Sequence, residues 1–542
     1  MLTDDLQASY DRLNYPNEAY FFTDPAALVA LSKIRIRQES LALKLNYHLE
    51  QDNFAGARYL EIGCARGGNL IPLAYRYPKM KFVGVDISHA QIQQAKQDAK
   101  ALHLDNIVFY PISFLDIHPD EGLFDFVVAH GVLSWIEKTL GVALIKHMAT
   151  LLQKQGIFYI SYNTLPGWYQ EKAIRDMMHF HLNFCDTAQD QIQQARDILD
   201  FASQSATDTY RKRFLSEENS VIKSVPDGYF YHDYLEVFNT PYYLKEVATL
   251  LQSHGLNYIG DTQLVQPEIK AEAQDFIECC SKQNIAGLLP FIIKEQYEDF
   301  LTNRHFRQSL AIKGNEKLSD ASLSSNLQEL YFLICSQLAE PLAHYELKKA
   351  TSLILVPQHN ENESQLTRVT LVNEVKVMAL FLGGKYHPYA FKDIVEKTHI
   401  PEKELFQVLT QLMEKSLIRP LSQYNKRKHP YQHPIALLFS RYYAQQSQVT
   451  INHYHRNIEL DLASRYLLNL CDGVHSVHAL IEQVLLYLDE NMKVTSVLQN
   501  QDFPFVLLGE KVNELSVKDR KELVRFFVYD ALDQFSDLGL LI

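Results

Sequence analysis

Short apolar runs alternate with amphipathic segments between residues 58 and 163 of this chain. The apolar runs have the length of buried strands, and the segments between them place apolar residues at helical spacing. We predict strands at 58–62, 81–86, 107–112, 124–129 and 156–162, and helices at 69–77, 89–103 and 142–153. Strands that alternate with helices are typical of a parallel sheet covered by helices. The pattern therefore predicts an α/β fold with a Rossmann-like, doubly wound core.

The pattern changes after residue 164. Residues 168–215 are helical and rich in polar side chains, the helical segment extends to roughly residue 235, and two further strands are predicted, one after Gly255 and one at 306–312. We expect these two strands to complete the sheet, which makes the helical segment an insertion over the cleft at the strand ends. The alternative is that residues 176–312 form an independent domain.

The C-terminal half is predicted to be mostly helical. Three apolar helical patterns, at 373–382, 389–398 and 402–415, precede an apolar strand, an order that resembles a winged helix. DNA binding by these helices is disfavoured because they carry many acids and no basic stripe. We therefore predict four parts: an N-terminal cap with the Rossmann-like core over 1–175, a helical insertion or regulatory segment that completes the sheet over 176–314, an α+β winged-helix-like module over 315–430 and a helical domain over 431–542.

Composition and charge narrow the class of protein. The chain is 47% hydrophobic and 22% charged, and no apolar run approaches the roughly 18 residues that span a bilayer. The first residues lack the basic and apolar regions of a secretory signal, and the six cysteines form no C-x-x-C pair. We therefore predict a cytoplasmic protein with reduced thiols, no membrane insertion and no metal site. The net charge of −13 argues against a nucleic-acid partner.

A glycine-rich turn follows the first predicted strand. Residues 59–69 are Y-L-E-I-G-C-A-R-G-G-N, with Glu61 ahead of Gly63 and Gly67, and the second strand ends at Asp86. Glycines let the backbone approach a ligand without a Cβ clash, and an acid at the end of the next strand can accept from ribose hydroxyls. The spacing differs from the G-x-G-x-x-G of dinucleotide sites. Acid-x-Gly-x-x-x-Gly resembles motif I of class I S-adenosylmethionine-dependent methyltransferases.

Each part of S-adenosyl-L-methionine requires different side chains. We expect Glu61 to meet the amino group, Asp86 to accept from the ribose hydroxyls and Ile87 to lie against the adenine. Ser113 stands where many of these enzymes place an acid for the adenine amino group, and Phe114 is either a cofactor contact or a core residue. The candidates for cofactor binding are Glu61, Gly63, Cys64, Gly67, Asn69, Asp86, Ile87, Ser113, Phe114 and His130.

Two segments at later strand ends are rich in aromatic and polar residues. V-V-A-H-G-V-L-S-W and I-S-Y-N-T-L-P-G-W contain His130, Trp135, Tyr162, Asn163 and Trp168. An open sheet has its active site at the carboxyl ends of its strands, and aromatic walls favour a cationic amine. His130, Tyr162 and Asn163 are therefore candidate catalytic residues that would orient the amine. The alternative for both tryptophans is that they pack helices onto the sheet.

The same two segments resemble bacterial protein-lysine methyltransferases that carry a methyltransferase regulatory domain, the type described for rickettsial surface antigens. The resemblance continues in Y-H-D-Y-L-E and N-T-P at 231–241, in N-R-x-F-R-Q-S-L at 303–310 and in L-L-N-L-C-D-G at 467–473, so it covers nearly the whole chain. It departs at residues 20–25, which end in T-D-P where relatives tend to have T-H-P, and Asp24 is assigned no role.

The resemblance implies methyl transfer from S-adenosyl-L-methionine to lysine side chains of a protein, with S-adenosyl-L-homocysteine as the product. A surface or outer-membrane protein before export is one candidate substrate, and a dimer is one candidate for the oligomeric state. A lysine has a pKa near 10.4, which burial in an aromatic channel lowers so that the amine can attack. The candidate substrate residues are Tyr20, Trp135, Trp168, Tyr231 and His232, the last two if the insertion folds over the cleft.

Two other functions compete with this hypothesis. A small-molecule N- or O-methyltransferase is disfavoured by the large C-terminal half, since a small acceptor needs no extended docking surface. A non-catalytic methyltransferase-like scaffold is disfavoured by the intact set of Glu61, Gly63, Gly67 and Asp86, because a scaffold needs no ligand-binding turn.

Overall fold

The protein is built around one seven-stranded mixed sheet. The computed structural model describes residues 19–39, most of 41–50, 54–118, 122–182, 187–264, 269–282, 287–314 and most of 329–491, with isolated positions beyond. The strand order is β3-β2-β1-β4-β5-β7-β6, in which β1 to β5 run parallel and β7 runs antiparallel to both neighbours. The strands are β1 Arg58–Ile62, β2 Lys81–Asp86, β3 Ile107–Pro111, β4 Phe124–Ala129, β5 Leu152–Asn163, β6 Leu256–Asp261 and β7 Phe306–Lys313.

Four helices pack around the sheet: α1 Pro25–Gln38, α2 Leu70–Arg76, α3 His89–Ala101 and α4 Lys138–Leu151. Successive strand residues point to opposite faces, and both faces are covered by apolar clusters. Tyr59 of β1 belongs to one cluster and its neighbour Leu60 to the other. The predicted Rossmann-like α/β core is confirmed.

Asp24 attaches the N-terminal cap to this core. Its carboxylate accepts from Ala26 N at the start of α1, which is the usual way an aspartate caps a helix. The same carboxylate accepts from Arg76 Nη1 and from the Tyr77 hydroxyl at the end of α2, at 2.7 and 2.8 Å. The residue that the sequence left without a role therefore joins two helices.

A helical insertion follows β5. It consists of α5 Trp168–His181, α6 Ala188–Ser205, α7 Thr209–Ser224 and α8 Asp227–Phe230, and it ends in a π-helical turn, Tyr231–Leu235. These elements have an apolar cluster of their own, which includes Ile174, Ile192 and Phe230. The chain then returns to the sheet through α9 Leu244–Ser253, β6, α10 Ala271–Ser281, α11 Pro290–Thr302 and β7.

The C-terminal half contains small sheets among helices. β8 Tyr331–Ile334 pairs with β12 Tyr389–Ala390 and β13 Ile418–Leu421, and a second sheet contains β9 Ser336–Leu338, β10 Leu353–Pro357 and β11 Thr367–Val369. The other elements are α12 Val372–Gly383, α13 Phe391–Thr398, α14 Glu402–Glu414, α15 Leu438–Gln446, β14 Val449–Ile451, β15 Asn457–Glu459, α16 Leu462–Leu470 and α17 Val477–Asn491. The four-part division of the chain stays a prediction. None of the described helices has both the length and the apolar character of a membrane span.

Helix α15 docks on the Rossmann-like core. The Tyr442 hydroxyl donates to Asp98 Oδ1 of α3 at 2.8 Å. Asp98, which is fully buried, also accepts from Arg66 Nε at 3.0 Å, and Arg66 reaches Gln446 of α15. Since Arg66 belongs to the glycine-rich turn, the C-terminal half contacts the segment predicted to bind the cofactor.

Candidate active site

A cavity of about 230 Å³ opens at the carboxyl ends of β1 to β4, where a doubly wound sheet binds ligands. Its walls come from the cap, from the loops that follow these strands and from the π-helical turn. Most of the site residues predicted from the sequence line it: Tyr20, Glu61, Gly63, Cys64, Asn69, Asp86, Ile87, Ser113, Phe114, His130, Trp135 and His232.

The glycine-rich turn needs its glycines for space as well as for conformation. Gly63 has φ +69°, and a Cβ there would lie 2.7 Å from Val132 Cγ2. Gly67 has φ +80°, and a Cβ would lie 2.9 Å from the ring of Phe109. Gly67 therefore packs against the ring of Phe109 on the side of the turn away from the cavity, and its neighbour Gly68 lines the cavity.

Asp86 is held by backbone amides on both sides. Its two carboxylate oxygens accept from Ala65 N of the glycine-rich turn and from Ser88 N at the start of α3, each at 2.9 Å. These bonds fix the carboxylate at the end of β2, where the sequence predicted a ribose-binding acid.

Glu61 is joined to the cap through Asn69. Asn69 Nδ2 donates to Glu61 Oε1 at 3.1 Å, while Asn69 Oδ1 accepts from Tyr20 N and from the Thr23 hydroxyl at 3.0 and 2.9 Å. Glu61 Oε2 is buried and has no hydrogen-bond partner among the described residues. Burial raises the pKa of Glu61 to about 8, although the bond from Asn69 lowers it. An unsatisfied buried oxygen in a cavity wall suits a bound ammonium group.

His130 is paired with a tyrosine that the sequence did not single out. His130 Nδ1 lies 2.8 Å from the Tyr159 hydroxyl of β5, and its ring stacks on Tyr20 with centroids 3.8 Å apart. Burial lowers the pKa of His130 to about 4 and raises the pKa of Tyr159 well above its ordinary value. At neutral pH both side chains are therefore uncharged, and His130 can position a ligand but is a poor proton acceptor.

The π-helical turn closes the cavity from the insertion side. His232 and Asp233 both line the cavity, and His232 Nδ1 lies 2.9 Å from Glu236 Oε1. Arg175 of α5 donates to the carbonyl oxygens of Asp233 and Glu236, and its guanidinium lies 5.7 Å from the ring centroid of Trp135. Arg175 therefore anchors the turn to α5.

Five predicted residues are absent from the cavity lining as the described residues define it: Gly67, Tyr162, Asn163, Trp168 and Tyr231. Trp168 packs edge-on against Trp135, with centroids 6.2 Å apart. The Tyr162 hydroxyl bonds Ser309 of β7 at 3.0 Å, and the backbone amide of Asn163 donates to Ser134 Oγ at 2.9 Å. Tyr159 and Tyr162 lie on opposite faces of β5, in different apolar clusters, because side chains alternate along a strand.

Sequence reasoning also missed residues that the structure places in the lining. Asp233 lies inside the Y-H-D-Y-L-E segment, and Gln91 lies in the first turn of α3. The position of Asp233, an acid within an aromatic segment, could have indicated a site residue, whereas nothing in the sequence around Gln91 does so. Within the described ranges, no group of three or more histidine, cysteine or acidic residues is placed to hold a metal ion.

Comparisons with known proteins agree with this architecture. Three family models match: a methyltransferase domain at residues 53–202, a predicted methyltransferase regulatory domain at 226–313 and a PKMT C-terminal winged helix domain at 432–501. The matched winged helix domain begins after the module that the sequence pattern predicted to resemble a winged helix.

Similar proteins occur in Rickettsia. The uncharacterized protein RP789 of Rickettsia prowazekii is 27% identical over 98% of this chain and 93% of its own length. The uncharacterized protein RP028 of the same organism is 35% identical over 44% of this chain and 91% of its own length. PKMT2 from Rickettsia typhi, solved in complex with AdoHcy, superposes with a TM-score of 0.75 at 24% identity, over 97% of this chain and 99% of that one.

The fold and the site define an S-adenosylmethionine-dependent methyltransferase of class I. The chain belongs to the bacterial methyltransferase family that combines the methyltransferase domain with a regulatory domain and a PKMT winged helix domain. The predicted cofactor, S-adenosyl-L-methionine, is confirmed by the match to the methyltransferase domain.

Proposed function

We propose that this methyltransferase acts on lysine side chains of a protein substrate. The observation that carries the proposal is the mixed lining of one cavity. Glu61 and Asp86 lie at the strand ends, whereas the aromatic rings of Tyr20 and Trp135 and the acid Asp233 lie in the same lining. Aromatic and acidic side chains attract a cation, and lysine presents a compact ammonium group at the end of a flexible four-carbon stem.

The strand-end residues are proposed to hold the cofactor. Glu61 would accept from the cofactor's ammonium group through Oε2, and Asp86 would accept from the ribose hydroxyls. Ile87 and Phe114 would pack on the adenine, with Ser113 beside it. Two observations support this fit: the unsatisfied buried oxygen of Glu61 and a glycine turn whose Cβ positions are occupied by neighbouring atoms.

The other residues of the cavity wall are proposed to bind and orient the lysine amine. S-adenosyl-L-methionine supplies a methyl group on a sulfonium and leaves as S-adenosyl-L-homocysteine. Tyr20 and Trp135 would flank the lysine side chain and exclude water, which lowers the pKa of its ammonium group. His130, held by Tyr159, would accept a hydrogen bond from the amine or the cofactor and so orient it.

The shared fold with PKMT2 over nearly the whole chain supports a protein substrate, since the C-terminal half of that enzyme is present here. A small-molecule acceptor would need only the core and the insertion. The cytoplasmic location, the surface-protein substrate and the dimer stay predictions.

The test is methyl transfer from tritiated S-adenosylmethionine to proteins of a bacterial lysate, followed by acid hydrolysis and separation of methylated amino acids. We expect label in methyl-lysine. Asp86→Ala should abolish labelling, and Asp105→Ala should not, because Asp105 is an exposed aspartate outside the cavity lining. Label recovered only in small molecules, or in a protein residue other than lysine, would overturn the proposal.

A further inference from the structure

His232 of the π-helical turn Tyr231–Leu235 forms a buried pair with the carboxyl group of Glu236, the residue that follows the turn. His232 and Glu236 are 2% and 3% exposed. Burying a histidine with a carboxylate costs free energy, because both groups lose water. π-Helical turns are rare and occur often at functional sites. The pair therefore calls for a role beyond packing.

The pair has the geometry of an oriented base. His232 Nδ1 lies 2.9 Å from Glu236 Oε1, and both residues are on one turn of the chain. The contact with the carboxyl group holds Nδ1 towards Glu236 and leaves Nε2 on the opposite side of the imidazole ring. The carboxylate also stabilises the imidazolium that forms when Nε2 takes a proton.

The position of the pair is fixed from outside the cavity. Arg175 donates to the carbonyl oxygen of Asp233, which lies between the two residues of the pair on the chain, and to that of Glu236 itself. Its guanidinium also lies over Trp135, which lines the cavity together with His232. The arginine thus ties the base to the aromatic wall that is proposed to flank the lysine side chain.

Three other titratable groups of the cavity, His130, Glu61 and Asp86, are less suited to accept a proton. His130 has a tyrosine partner rather than a carboxylate, and burial lowers its pKa to about 4. Glu61 is bonded to Asn69, and Asp86 is bonded to backbone amides. Within the described lining, His232 is the histidine with a carboxylate partner.

We propose that His232, oriented by Glu236, is the catalytic base that takes a proton from the target lysine before methyl transfer. This inference rests on the proposed function. The ammonium transfers one proton to Nε2, and the freed electron pair on nitrogen forms the bond to the methyl carbon. The carbon–sulfur bond breaks with its electron pair going to sulfur, and the product is a methylammonium with two N–H bonds. The imidazolium then returns its proton to solvent.

Several charged or titratable groups lie on the elements around the His232–Glu236 pair. Arg175 opposes a positive charge on His232, whereas Asp233 and Glu236 favour it. Other titratable groups nearby include Tyr231 and Tyr234 on the same turn, Glu171 and His179 on α5, Glu218 on α7, and His130 and Glu61 in the cavity lining.

The test compares single-turnover rates of methyl transfer from tritiated S-adenosylmethionine to the lysate proteins across pH, for the full-length enzyme and its variants. His232→Asn should lower the rate at neutral pH about 100-fold or more, as expected for loss of a general base. The rate of this variant should recover as pH rises, because more of the lysine is then deprotonated. Glu236→Gln should lower the rate less than His232→Asn does, because the imidazole stays in place and loses only the carboxylate that orients it.

His103→Asn is the matched control, because His103 is exposed, lies outside the cavity lining and has φ +55°, a conformation that asparagine tolerates. Cofactor affinity, measured by calorimetry, should stay within threefold in all three variants. A His232→Asn rate within twofold of the parent, or a loss of cofactor affinity that parallels the loss of rate, would overturn the base assignment. Failure of the parent enzyme to methylate lysine would instead remove the proposed function.

Discussion

Asn69 donates a hydrogen bond to Glu61 across 3.1 Å, and the other end of the same amide binds the cap at Tyr20 and Thr23. One side chain therefore connects the acid proposed to bind the cofactor's ammonium group with the segment that supplies an aromatic wall. The proposed cofactor contact of Glu61 and the attachment of the cap therefore both depend on the Asn69 side chain. Loss of Asn69 should therefore weaken both.

Glu61→Gln should raise the stability of the ligand-free protein while it weakens cofactor binding. Burial raises the pKa of Glu61 from 4.5 to about 8, so the unfolded chain ionises this group first. The free energy of unfolding of the ligand-free protein therefore falls as pH rises from about 4.5 to about 8. Glutamine removes that dependence and should stabilise the ligand-free protein at pH 8 by about 1–3 kcal/mol. Urea unfolding at pH 5 and pH 8 measures the effect.

The same variant should lose cofactor affinity by about 10- to 100-fold, since a charged hydrogen bond is replaced by a neutral one. The Asn69 bond can persist, because the glutamine side chain keeps an acceptor oxygen. An unchanged affinity in calorimetric titration would show that Glu61 does not meet the cofactor's ammonium group.

Gly63→Ala should damage the cofactor site through both strain and a clash. The added methyl would lie 2.7 Å from Val132 Cγ2, and alanine rarely adopts φ +69°. We expect a loss of about 2–4 kcal/mol in unfolding free energy, together with weaker cofactor binding. Gly255→Ala is the control, because Gly255 has φ +74° but no atom within 4 Å of its added Cβ. Equal effects of the two substitutions would mean that the clash contributes nothing.

Tyr442→Phe should loosen the contact between α15 and the Rossmann-like core. It removes one hydrogen bond to the buried carboxylate of Asp98 and keeps the ring. The expected loss is about 1–2 kcal/mol, with faster proteolytic separation of the C-terminal half. Tyr466→Phe is the matched control, since the stacking of Tyr466 on Tyr487 at 4.0 Å needs only the ring. Identical proteolysis of both variants would argue against docking through Asp98.

Arg307→Ala should destabilise the junction between α11 and β7 strongly. Arg307 is 1% exposed and bonds Asp299 at 2.8 Å and Glu295 at 2.9 Å. Its removal leaves buried carboxylates without their cation, which typically costs about 3–5 kcal/mol. Guanidinium denaturation measures the loss. Arg213→Ala removes an exposed ion pair with Glu217 instead and should leave the midpoint unchanged; a similar shift in both variants would contradict the proposed role of burial.

Local sequence was sufficient for the core because its elements carry strong local signals. The strands β1, β2 and β4 have the predicted bounds, since each is an apolar run ended by an acid, a glycine or a polar loop. The cavity residues Glu61, Asp86, Ser113 and His130 follow from the same pattern. Parallel strands end at one edge of the sheet, so residues that come just after them in sequence meet in space.

What the sequence by itself determined is thus the class of fold, the cofactor and the strand-end half of the site. Only the tertiary structure decided which side chains face the cavity from elsewhere. β5 is buried on both faces, so its pattern could not show that Tyr159 rather than Tyr162 approaches His130. The contact of Asn69 with Tyr20 and the entry of His232 into the lining join segments far apart in sequence. Such contacts depend on how the elements pack against one another, and the local pattern of hydrophobic residues does not specify that packing.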